Sequence, residues 1–194
     1  LALSIKNTQT INQFAIAIEP GAKILITKQY REVFDHIIEI PWEDHARGQD
    51  WKIQNKWKYY YMTPYEETVI LDTDMLFPTD VSHWWDIMSQ RDVWATTKVR
   101  TYRGDVVTTD YYRKYFVAND LPNVYTAFFY FKQSPLAEEF FKMTQIIFEN
   151  WERFYFKYMP KGKPDWLSAD VAFALAIQIL GIEAVSYTHL TLPT

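Results

Sequence analysis

The sequence predicts an α/β layered domain with a mainly parallel central sheet flanked by helices, on three observations. Apolar runs of strand length alternate with helical patterns almost throughout. One of those runs, Thr68 to Leu71, is apolar without a break, as in a strand covered on both faces. And 194 residues at 48% hydrophobic content suffice for one sizeable core.

Leu1 to Lys6 reads as the interior of a helix, so the chain is expected to be incomplete at its start. Phe14 to Ile18 is a short strand closed by Glu19-Pro20-Gly21, a turn. Ala22 to Phe34 carries Ile26, Tyr30 and Val33 at helical spacing, and His36 to Ile40 is a strand stopped by Pro41. Pro41 to Asp50 is a polar loop, and Ile53 to Met62 is a helix ended near Pro64. The strand Thr68 to Leu71 follows, placed centrally in the sheet. Asp80 is the expected N-cap of a helix from Val81 to Ser89. Val93 to Thr97 is a strand, Arg100 to Asp110 a polar loop, Tyr111 to Val117 a helix and Val124 to Phe131 an aromatic strand. A single long helix is expected from Pro135 to Phe156, and a last one from Ala169 to Leu180, capped by Ser168.

Composition narrows the chemistry. With no cysteine, disulfides, thiolate nucleophiles and cysteine-ligated metals are excluded, and a reducing, cytoplasmic compartment fits. The formal charge of −4 gives no electrostatic reason to expect nucleic acid or an anionic membrane as partner. The longest apolar stretch, Val171 to Ile182, is broken by Gln178 and Gly181 and is too short to span a bilayer. Eight Trp and fourteen Tyr supply flat faces that suit sugar rings, although most of them follow the core spacing.

Asp72-Thr73-Asp74 comes directly after Val69-Ile70-Leu71. Alternation along a strand points the two carboxylates the same way, at the end of a buried strand where open α/β sheets bind ligands. Left alone, two such acids repel; a divalent cation removes the penalty. Carboxylate oxygens favour Mg²⁺ or Mn²⁺, which can bridge to a diphosphate and offset charge on a departing nucleotide. With thirteen Asp in the chain the spacing alone carries little. Two solvated acids in a strand-to-helix turn are the plainer reading.

From Lys56 through Phe77 and from Asn123 through Leu180, the chain resembles glycosyltransferases of the GT-A fold, most nearly glycosyltransferase family 8, the glycogenin-like group. Lys56 on a helix, Tyr65, the apolar strand and Asp72-Thr73-Asp74 stand at that family's intervals, as do the strand from Val124 and Ser168-Ala169-Asp170. The resemblance implies a GT-A, Rossmann-like fold and a Mn²⁺- or Mg²⁺-dependent transfer of sugar from a nucleotide-diphosphate donor to a carbohydrate or protein acceptor, with anomeric configuration retained. It implies that Asp72 and Asp74 hold the metal, that Lys56 meets the donor diphosphate, and that Asp170 lies beside the donor sugar and the reacting centre. By residue type alone, Lys56 reads as a surface lysine and Asp170 as an N-terminal cap and a complement to a helix dipole. Where the family has Asn, a small residue and Gly, this chain has Tyr125-Thr126-Ala127. The family's base-gripping first strand would precede Leu1, and its third metal ligand, a histidine, would follow Ala184.

Two other functions compete. A phosphatase of the haloacid-dehalogenase type also places an Asp-x-Asp after an apolar strand, the first as nucleophile; Gly104-Asp105 and Asp110 imitate its second acidic motif, but Leu76 and the preceding Lys98-Val99-Arg100 do not fit. A sugar-binding protein without turnover, on the same fold, is favoured by Tyr125-Thr126-Ala127. Lys98, Arg100 and Arg103 could clamp phosphate, though charge runs on loops are mostly solvated. Trp42 and Trp51 could stack on an acceptor sugar, with core packing the commoner role. His36, His45 and His83 share no ligand spacing.

Residues 1 to 184 are thus expected to form one catalytic domain, truncated at both ends. Val185 to Thr194 matches one reading frame of a transposase adapter used in preparing sequencing libraries and is set apart as non-native. His189 is then no ligand, and the fragment itself is expected to be inactive for want of a full metal shell.

Overall fold

The computed structural model describes residues 1–10, 13–22, 31–48, 52–98, 100, 103–109 and 111–183. The expected helix from Ala22, Trp51, Asp110 and the segment 185–194 with His189 lie wholly or largely outside them.

Within the described residues the chain is a mixed α/β structure with two small sheets. Strands β1 (Ala15–Ile18) and β2 (His36–Glu39) pair in parallel, Ala15 opposite His36. Strands β3 (Glu67–Leu71), β4 (Val93–Thr97) and β5 (Val124–Lys132) form the second sheet in the order β3-β5-β4, with both pairings antiparallel. A mainly parallel sheet is therefore not what these residues build. β3 lies at one edge of its sheet, not at the centre.

The uninterrupted apolar run of β3 has another cause: each face of this sheet has its own core. Ile70, with Phe129 and Phe131 of β5, joins the large cluster containing Phe140, Phe141 and Phe173. Val69 and Leu71 face the opposite way, against Met88, Trp94, Phe128 and Tyr130. Period-2 alternation thus delivers apolar side chains from Val69 to Leu71 to both sides. On the first face the rings of Phe129, Phe140 and Phe173 meet within 5.0 to 5.3 Å, in stacked and edge-on contacts that add to area burial.

Helices α5 (Pro135–Glu149) and α7 (Ala169–Leu180) supply that first layer. Both start as their sequences require. Ser134 accepts from Ala137 N with Pro135 at the first turn, Ser168 accepts from Val171 N, and Gly181 ends α7 at a φ of 65°. The single helix expected from Pro135 to Phe156 is instead two. Asn150 leaves helical geometry at a φ of −132° and turns its amide onto Ile146 O, so α5 stops and α6 (Trp151–Tyr158) begins on a new axis. Helix α3 (Trp84–Met88), under the second face, is shorter than expected. Asp80 does not cap it: its carboxylate accepts from Ser82 N at 2.8 Å, closing a local turn before the helix starts.

The segment 52–62 opens as a 3₁₀ helix (Lys52–Lys58) and ends as the short helix α2 (Tyr59–Met62). The N-terminal helix α1 (Ala2–Thr8) holds the loop after β3: Ser4 Oγ accepts from Phe77 N, and the Gln9 amide bonds both Thr79 O and Val81 N. A 3₁₀ turn (Tyr111–Arg113) leads into α4 (Lys114–Ala118), just before β5. Among the described residues no helix is long and apolar enough to cross a membrane.

Candidate active site

The site is set by a fault in the β4·β5 ladder. Ala95 pairs with Phe129, but Thr96 pairs with Tyr125, so Thr126, Ala127 and Phe128 of β5 have no opposite residue on β4. A bulge of this kind frees backbone donors and re-aims side chains. Ala127 O still accepts from Asp72 N at 3.0 Å, which carries the β3 pairing one residue past Leu71. Asp72 is thereby tied to the bulge. Asp72 itself closes a turn, its carbonyl receiving Met75 N, so Thr73 and Asp74 belong to the turn and not to the strand.

Around the bulge, residues far apart in sequence form one hydrogen-bonded row. Lys56 Nζ lies 3.1 Å from Asp72 Oδ1 and 3.2 Å from Thr126 Oγ1. Thr126 donates both its backbone N–H (2.9 Å) and its hydroxyl (2.7 Å) to Asp170 Oδ1. The other oxygen of Asp170 accepts from Tyr112 Oη at 2.7 Å and from the Arg113 guanidinium. Arg113 is fixed in turn by Asn123 Oδ1 and Val124 O, and it lies over the rings of Tyr112, Phe116 and Tyr125.

Burial sorts these residues into two kinds. Lys56, Arg113, Thr126 and Asp170 are buried, whereas the Asp72 side chain keeps 41% of its surface and Asp74 is exposed. Lys56 is therefore not a surface lysine. Its helix is short and tightly wound, and its ammonium is carried to the acids through the protein interior. Asp170 does not cap its helix either; Ser168 does that, and the Asp170 carboxylate is spent on Thr126, Tyr112 and Arg113.

Tyr125, half-exposed, lies within electrostatic reach of all three acids. Its hydroxyl is held above the ordinary phenol range by burial first, and then by the fields of Asp72, Asp170 and Asp74. Burial and the nearby Asp72 do the same for Tyr59. Burial followed by Asp170 raises Tyr112. These phenols stay protonated at neutral pH, and Tyr112 donates its proton to Asp170.

The sequence-predicted residues Lys56, Asp72 and Asp170 are thus joined through Thr126, and Asp74 stands within electrostatic reach. Among the described residues no three of His, Asp or Glu gather as a metal-holding group. Two carboxylates, one with an oxygen not taken by Lys56, suit a hard cation that draws the rest of its shell from water and substrate phosphates. His36, His45 and His83 lie against aromatic rings, those of Tyr65, Trp57 and Trp84. Lys98, Arg100 and Arg103 are exposed, and Asp105 lies in the exposed turn beside Gly104.

Sequence reasoning missed Arg113 and Tyr112, which carry no motif, and passed over Thr126 as a departure from a family pattern. The one available signal was chemical: a hydroxyl between an expected lysine and an expected aspartate can bond both.

Comparison with protein-family models finds no match to this chain, and comparison with curated proteins finds none either.

Proposed function

We propose that the chain is a GT-A-type catalytic core that transfers a sugar from a nucleotide-diphosphate donor to an acceptor, dependent on Mn²⁺ or Mg²⁺. One observation supports this most: the row Asp72–Lys56–Thr126–Asp170, which gathers at one end of β3 the residues such a reaction needs.

The roles follow from charge and burial. Asp72 and Asp74 would hold the metal, which would supply Lewis-acid stabilisation of the charge on the departing nucleoside diphosphate. Lys56 adds a compact positive charge at the same place, and its buried stem fixes where that charge sits. Asp170 is the catalytic residue beside the donor sugar. With four hydrogen bonds on its two oxygens it cannot rotate, so it is a rigid negative charge suited to a transition state that builds positive character on the sugar. The Tyr125 hydroxyl, kept protonated, donates toward the phosphates or the sugar.

A second reading, a sugar-binding protein without turnover, is favoured by that same saturation of Asp170, since both of its oxygens are already engaged by protein donors. A phosphatase of the haloacid-dehalogenase type has less support, because Leu76 and the run Lys98-Val99-Arg100 do not fit its motifs and Asp105 lies in an exposed turn.

The experiment is release of nucleoside diphosphate from UDP-glucose, UDP-galactose, UDP-N-acetylglucosamine and GDP-mannose with Mn²⁺, alongside donor binding by calorimetry. Metal-dependent binding with release supports the transferase. Binding without release supports the second reading when it persists in a chain supplied with a third metal ligand, and hydrolysis of p-nitrophenyl phosphate in place of either supports the phosphatase.

A further inference from the structure

The loop 41–48 holds an indole where hydrophobicity alone would not leave it. Trp42 is 63% exposed, and its backbone has a φ of 61°, the left-handed region that a bulky side chain avoids. Its ring nevertheless lies nearly parallel to that of Trp57, with centroids 5.7 Å apart and planes 9° from coplanar, and Tyr61 meets it edge-on at 5.5 Å. Trp57 is itself only 5% exposed and belongs to the main core. One face of Trp42 is thus backed by the core, and the other is turned to solvent.

The loop beneath is anchored strongly. Lys58 is fully buried and donates Nζ to the carbonyls of Pro41 and Glu43, on either side of Trp42. Asp44 accepts from Ala46 N at 2.9 Å and from the Asn55 amide at 2.5 Å, while Asn55 Oδ1 accepts from His45 N. Such a set of bonds holds the strained residue in place, and local strain that the surroundings enforce is a mark of function.

The position relates this indole to the site already described. Lys56, Trp57 and Lys58 are consecutive on a 3₁₀ helix, where about three residues make a turn, so their side chains leave in three directions. Lys56 goes to Asp72, Trp57 goes under Trp42, and Lys58 goes into the loop carbonyls. One turn of helix therefore mounts both the site's ammonium and the base of the exposed ring.

Resting on the glycosyltransferase reading, we propose that Trp42, backed by Trp57, is a stacking platform for a pyranose ring of a glycan acceptor. The face of an indole is electron-rich, and the C–H face of a pyranose presents the complementary partial charge. The patch is a single flat ring, not a groove, which suits one sugar unit better than a peptide strand or helix. Its neighbours Glu43 and His45 are exposed and polar, the chemistry that ring hydroxyls bond.

The test is a titration of the uniformly ¹⁵N-labelled chain, following indole N–H signals, with maltotriose, cellotriose and lactose in one arm and uridine in the other. We expect a saturable shift of the Trp42 signal with at least one oligosaccharide. Trp42→Ala should weaken that binding roughly tenfold, the loss typical of removing one stacked ring, while Trp42→Phe retains part of it. A response to uridine alone would make the ring a nucleobase shelf and overturn the proposal. So would the absence of any saturable response, or oligosaccharide binding that Trp42→Ala leaves intact. If the sugar response is present but no Mn²⁺-dependent donor binding occurs at Asp72 and Asp74, the platform stands and the transferase reading falls.

Discussion

The hydroxyl of Thr126 donates to Asp170 Oδ1 at 2.7 Å, and that hydroxyl oxygen, Thr126 Oγ1, accepts from Lys56 Nζ at 3.2 Å. Through this one atom the buried aspartate is connected to the ammonium that meets Asp72. Thr126→Val keeps the shape and removes the link. It should destabilise the chain by about 1–3 kcal/mol, the cost of leaving buried polar groups short of a partner, and Thr126→Ser should restore most of it. Denaturant unfolding of the three proteins measures this.

Asp170 and Arg113 form a buried ion pair, with side chains 8% and 9% exposed. Asp170→Ala would leave a buried guanidinium without its carboxylate, a change that costs roughly 3–5 kcal/mol. For a chain of this size that is a fall in Tm of about 6–20 °C. Asp74→Asn, at an exposed position, should stay within about 0.5 kcal/mol of the parent. Thermal unfolding of the two variants separates an acid that the fold depends on from one that it does not.

Asp72 falls between them. From sequence, its change to Asn relieves repulsion between two acids and costs little stability. The structure alters that expectation, because Lys56 already neutralises Asp72. Asp72→Asn should therefore cost roughly 1–2 kcal/mol, moderated by the exposure of the carboxylate, and should abolish metal-dependent donor binding. Calorimetry with Mn²⁺ and unfolding curves on the same sample check both halves.

Alkali should unfold this protein in a defined window. Tyr59, Tyr112, Tyr130 and Tyr155 are all raised well above the ordinary phenol range, in each case by burial first, with Glu67 adding to the effect at Tyr130. A phenol raised in the folded state contributes stability that is fully present below the unfolded value of about 10. That contribution is lost as pH climbs toward the folded value, since only the unfolded chain then releases its protons. Each such tyrosine costs up to about 1.4 kcal/mol per pH unit above 10. Phenolate absorbance near 295 nm and far-UV circular dichroism should therefore change together. Ionisation of these four tyrosines at pH 10 with the fold intact would contradict the account.

Much of this arrangement was legible from residue patterns, for local reasons. Ser134-Pro135 and Ser168 mark their helix starts through side-chain oxygens, and Gly181 marks an end through its φ, so α7 falls where the sequence places it. The sheet did not follow. An uninterrupted apolar strand indicates that both faces are covered, but not whether a helical layer or a second aromatic cluster covers them, and it says nothing of strand direction. Asn150 broke a helix that periodicity would continue, since Asn at that position is compatible with both outcomes. At the site, Asp72 and Asp74 drew notice because two acids directly follow an apolar strand, whereas Lys56 entered only through the family resemblance, since by type alone it reads as a surface lysine. Arg113 was not, because an arginine in a helical turn is ordinary until Asp170 is seen beside it. The bulge that aims Thr126 is a property of two strands and has no signature in either alone.

The central claim is that Asp72 and Asp74 hold a divalent cation that a nucleotide-diphosphate donor shares. Mn²⁺ is paramagnetic and broadens nearby resonances even when bound weakly, so the direct measurement is ¹⁵N-resolved line broadening of the chain with micromolar Mn²⁺, with and without UDP-glucose and GDP-mannose. The account predicts selective broadening of Asp72, Thr73, Asp74 and Thr126, strengthened by one of the donors and absent in Asp72→Asn and Asp74→Asn. Broadening centred elsewhere, or unchanged in both variants, would contradict it.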